Sequence, residues 1–102
     1  MKHKYFVIAD EDTVLGFKCA GVPGKAVNTS QEALDAIQLA RESQVGILIL
    51  TEEVADMVRQ EVDAIRFDEA LPMIVEVPGR QGPLPGRRTL SEIIREAIGV
   101  KV

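Results

Sequence analysis

Residues 7 to 17 read VIADEDTVLGF: an apolar strand that runs into Asp10, Glu11 and Asp12 and passes at once into an amphipathic turn containing Gly16. A strand that ends in acidic residues and enters a helix without a linker is the opening of an α/β domain, where functional sites gather at the carboxyl ends of strands. Residues 5–9 form a continuous apolar run without alternation, as expected of a strand covered on both faces of a parallel sheet. Asp12 is expected to N-cap a helix running to about residue 20, where Gly21 and the Pro23-Gly24 pair end it.

The same alternation continues along the chain. Residues 25–28 fit a short second strand, and Thr29 with Glu32 has the spacing of a capping box that opens the next helix. Ala33, Leu34, Ile37 and Ala40 give that helix its apolar face, with Asp35, Arg41 and Glu42 pointing away. Residues 45–50, again apolar without alternation, read as a central strand. Thr51 follows as an N-cap with Glu52 and Glu53 in the first turn, where the helix dipole favours carboxylates. Val54, Met57, Val58, Val62 and Ile65 then recur at helical spacing, which predicts one helix over 52–65. Residues 72–77 form a fourth strand bounded by Pro72 and Pro78, placed at an edge because proline lacks a ladder donor.

Residues 78–88, PGRQGPLPGRR, carry three glycines and three prolines and read as an exposed docking or hinge loop. Thr89 and Glu92 make another capping box, and Leu90, Ile93, Ile94, Ala97 and Ile98 mark a last amphipathic helix that Gly99 ends. The reading is therefore one domain, with an α/β core over 1–78, a Gly/Pro-rich loop over 79–88 and a mobile C-terminal helix over 89–102. The fold class is α/β: a small doubly wound, flavodoxin- or receiver-like parallel sheet of four strands in the order 2-1-3-4, flanked by helices.

Composition narrows the function. A chain of 102 residues, 46% hydrophobic, supports a single core. Aromatics are scarce and Trp is absent, so stacking platforms for nucleic-acid bases are not expected. The formal charge of -4 also disfavours nucleic acid as a partner. The charge is unevenly spread: residues 52–76 are strongly acidic, while residues 80–102 are basic through Arg80, Arg87, Arg88, Arg95 and Lys101. The single Cys19 cannot form an internal disulfide and is read as a small buried residue of the first helix, which suits a cytoplasmic chain. The apolar run near the start is too short for a signal segment or a membrane span, so any membrane association is expected only through partners.

No catalytic constellation emerges. The Asp10, Glu11, Asp12 cluster resembles the Mg²⁺ site of a response-regulator receiver, but a receiver needs a phosphoacceptor Asp at the tip of its third strand and this chain has Leu50, Thr51 and Glu52 there. The 78–88 loop has the wrong order for a Walker A motif, and its prolines remove backbone donors. His3 stands alone, with no nucleophile beside it. No catalytic residue, cofactor or metal ligand is expected. A binding or structural role is favoured.

The chain resembles the F subunits of the V/A-type rotary ATPases, in their short prokaryotic form. The resemblance rests on ADEDTVLGF near the start, on Gly46, Ile47, Leu48, Ile49 and Leu50 followed by Ala55, Met57, Val58 and Arg59, and on Pro72, Val75, Glu76, Val77 and Pro78. It implies a non-catalytic rotor subunit of the central stalk, clamped on the coiled-coil D subunit of the rotor shaft. Such a protein helps couple ATP hydrolysis or synthesis in the A/B catalytic head to ion transport, at the cytoplasmic face of the membrane. The resemblance also directs attention to the C-terminal helix as the contact with the D subunit, through Arg87, Arg88, Leu90, Ile94, Arg95 and Ile98. The alternatives are a receiver-like Mg²⁺-dependent phosphoprotein and an unrelated α/β protein-binding module.

Overall fold

A computed structural model of the chain describes residues 5–68 and 71–79. Strand β1 spans Tyr5–Ala9, helix α1 Glu11–Cys19, β2 Gly24–Ala26 and α2 Ser30–Glu42. Then come β3 (Ile47–Thr51), α3 (Glu52–Met57), α4 (Arg59–Asp68) and β4 (Met73–Val77). All pairings are parallel and the sheet order is β2-β1-β3-β4, as expected from the alternating pattern. Pro72 precedes β4, the outermost of the described strands on that side.

The two faces of the sheet carry different loads. Ile8, Leu48, Leu50 and Ile74 point to one face, where Ala33, Ala36, Ile37 and Ala40 of α2, Val54 and Ala55 of α3 and Val62 and Ile65 of α4 pack on them as one cluster. Val7 and Ala9 point to the other face and meet Val14 of α1, with Phe17, Ala26 and Ile49 packed around them. Each large aliphatic side chain of the first cluster that is fully removed from water contributes about 1.5–3 kcal/mol.

Three expectations need correction. The predicted helix over 52–65 is two helices: α3 ends at Met57, Val58 adopts φ -129 and ψ 39, and α4 starts at Arg59 and runs on to Asp68. The apolar spacing continues through the break because Val54, Val58, Val62 and Ile65 all reach the same core, so periodicity could not reveal it. The second strand is Gly24–Ala26, not 25–28. Cys19 is exposed rather than buried, because α1 turns Val14 and Phe17 toward the sheet. The predicted loop beyond Gly79 and the C-terminal helix lie outside the described residues, as does His3.

The helix ends follow one rule with different residues. After α1, Gly21 adopts φ 88, its N–H donates to the Lys18 carbonyl and that of Val22 to the Phe17 carbonyl. After α2, Gln44 takes the same left-handed role at φ 60, with Gln44 and Val45 donating to Arg41 and Ala40. This is the Schellman arrangement, in which the left-handed residue is usually glycine.

Two glycines make opposite predictions. A Cβ on Gly24 would stand 2.5 Å from the Val7 carbonyl oxygen and also against Val7 Cγ1, whereas one on Gly16 would meet nothing within 4 Å. Gly24→Ala should therefore destabilise the protein by about 1–3 kcal/mol, while Gly16→Ala in the middle of α1 should stabilise it by about 0.5–1 kcal/mol. Urea unfolding of both variants checks the pair, and equal effects would refute the packing described for β1 and β2.

Candidate interaction surface

Each strand-to-helix joint at the carboxyl edge of the sheet is closed by a cap from its own sequence. Asp10 leaves β1 in an extended conformation, φ -72 and ψ 166, and is the N-cap of α1. Its Oδ2 accepts from the Thr13 N–H at 3.1 Å and its Oδ1 from the Thr13 hydroxyl at 2.7 Å. Asp12 is therefore not the cap, as expected from sequence, but a first-turn residue. The strand hands over to the helix two residues earlier than the pattern suggested, since the last extended residue is the one free to cap. Thr51 behaves alike, its Oγ1 accepting from the Val54 N–H at 3.3 Å. At the third joint Thr29 and Glu32 form the expected capping box: Thr29 Oγ1 accepts from the Glu32 N–H at 3.1 Å, and Glu32 Oε1 accepts from the N–H groups of Thr29 and Asn28 at 3.1 and 2.8 Å.

These caps bear on the receiver-like reading. The tip of the third strand presents a capping threonine hydroxyl where a receiver holds its phosphoacceptor carboxylate. The Asp10 carboxylate is committed to Thr13. Among the described residues no group of three or more His, Cys, Asp or Glu side chains is placed to hold a metal ion.

The strongest polar feature is an ion cluster between the helix pair and the edge strand. The Arg59 guanidinium grips Glu76 with both ends, Nη1 donating to Oε2 at 2.6 Å and Nη2 to Oε1 at 2.9 Å. Nη2 also donates to Asp56 Oδ1 at 2.7 Å. Arg66, two turns further along α4, donates from Nη1 to Glu76 Oε2 at 2.8 Å and from Nη2 to the Ile74 carbonyl at 3.1 Å. Glu76 alternates with Val75 and Val77 and so shares the face of Ile74, under α4. The hydrogen bond from Arg59, aided by the charges of Arg59 and Arg66, holds its carboxyl below the usual carboxylate range, although burial opposes this. The same bonds, with Glu76 first and Asp56 second, push the Arg59 guanidinium further toward its charged form. Fork-to-carboxylate geometry is the strong form of this interaction.

Around this cluster lies an uneven surface. Met57, at the end of α3, is 39% exposed. It lines a cleft that extends over Ser30, Leu34 and Gln60, and a second that extends over Asp10, Asn28, Thr51 and Glu53. The residues expected to contact a partner, Arg87, Arg88, Leu90, Ile94, Arg95 and Ile98, lie outside the described residues. Sequence reasoning missed both the Arg59–Glu76 pair and the exposure of Met57. The signal was present in part, since Arg59 and Glu76 stood in two of the quoted motifs, but 17 positions separate them and no local period links them.

Comparison with known proteins places these features in a wider set. The family described as ATP synthase (F/14-kDa) subunit matches residues 6–98. The F subunit of the A-type ATP synthase of Methanothermobacter thermautotrophicus is 36% identical over 105 residues, covering 100% of this chain and 98% of that one. Its counterpart in Thermococcus kodakarensis is 37% identical over 106 residues, covering 97% of each. Among solved structures, the F subunit of the V-type ATP synthase of Archaeoglobus fulgidus superposes with a TM-score of 0.60 at 25% identity. That superposition covers 76% of this chain and 99% of the other.

The ion cluster predicts a pH signature. Because the Glu76 carboxyl is held low in the folded protein, its contribution is complete above the unfolded carboxyl value near 4.3 and is lost as pH falls through the lower folded value. Glu76→Gln should cost about 1–3 kcal/mol at neutral pH and flatten the decline of stability below about pH 4.3. Urea midpoints from pH 7 to pH 3 check both parts, and a variant whose acid profile parallels the parent's would refute the role given to Glu76.

Proposed function

The chain belongs to the family of ATP synthase (F/14-kDa) subunits, the F subunits of A- and V-type ATP synthases, and from that membership we propose that it is a non-catalytic part of the rotor. It binds the coiled-coil D subunit of the rotor shaft in the central stalk and helps couple ATP hydrolysis or synthesis in the A/B head to ion transport. It works with the remaining stalk subunits at the cytoplasmic face of the membrane and touches the membrane only through the complex. Among the described residues no helix is long and apolar enough to cross a membrane.

One observation carries this reading: the correspondence spans the chain, from residue 6 to residue 98, rather than a shared sheet alone.

The contact proposed for the D subunit is the C-terminal segment. By the sequence pattern, residues 79–88 would join the α/β core, 1–78, to a helix expected over 89–102, with Leu90, Ile94 and Ile98 as its apolar stripe, Arg87 and Arg88 just before it and Arg95 within it. Such a helix suits a groove on a partner, with the arginines facing acids on the shaft.

Calorimetric titration of the purified chain against the isolated D subunit, at two salt concentrations, tests the proposal. A one-to-one complex of submicromolar affinity is expected. The Arg87→Ala, Arg88→Ala, Arg95→Ala triple variant should bind about tenfold more weakly, given about 0.2–1 kcal/mol for each rim charge, and show less salt dependence. No detectable complex would overturn the rotor reading; an unchanged triple variant would overturn the assignment of the interface.

A further inference from the structure

We draw no further inference here: the strongest candidate, the apolar face of β3 and β4 on the α1 side of the sheet, where Ile49 and Val75 are half-buried and Met73 stands 58% exposed, adjoins residues outside those described, and nothing in the structure shows what covers it.

Discussion

Val7, Ile8 and Ala9 are removed completely from water, and the rest of the architecture depends on that condition. A strand buried on both faces needs helices on both sides, and parallel strands supply them because each crossover must travel over a face. With β1 inside the sheet, α1 covers the Val7 and Ala9 side, while α2, α3 and α4 cover the Ile8 side. The carboxyl ends of β1, β2 and β3 are then forced to one edge. There Asp10, Thr29 and Thr51 each use a short polar side chain to end one period and begin another.

The edge strand β4 is held by a different means. Among the described residues it pairs with β3 alone, and Ile74 is its one buried residue. Arg59 and Arg66 reach across from α4 and fasten Glu76 and the Ile74 carbonyl. A half-buried ion cluster is weak as a source of net stability, because desolvation offsets much of the attraction. Its geometry is specific, however: two planar forks converging on one carboxylate define how α4 lies on β4. The cluster therefore acts chiefly as an alignment device at the point where the chain leaves the sheet toward its C-terminal quarter.

The described ends of β1 and β3 are closed by their own side chains. The hydroxyl at the tip of β3 and the carboxylate at the tip of β1 are spent on helix caps. What faces outward along α3 is a methionine with acids about it. The chain belongs to a family of ATP synthase subunits.

The sequence by itself determined the alternation of strands and helices, the capping box at Thr29 and Glu32, the strand at residues 5–9 and the 2-1-3-4 sheet. These follow from local periods and local hydrogen bonds, which residues two to four positions apart already encode. It misplaced the cap of α1 by two residues because Asp10 and Asp12 are chemically equivalent and only the backbone angle at the strand end chooses between them. It ran α3 and α4 together because the break at Val58 leaves the apolar spacing intact. The pairing of Arg59 with Glu76 and the exposure of Cys19 and Met57 were decided by the tertiary structure. Each depends on how one element lies against another, a relation that spans many positions and leaves no period in the chain.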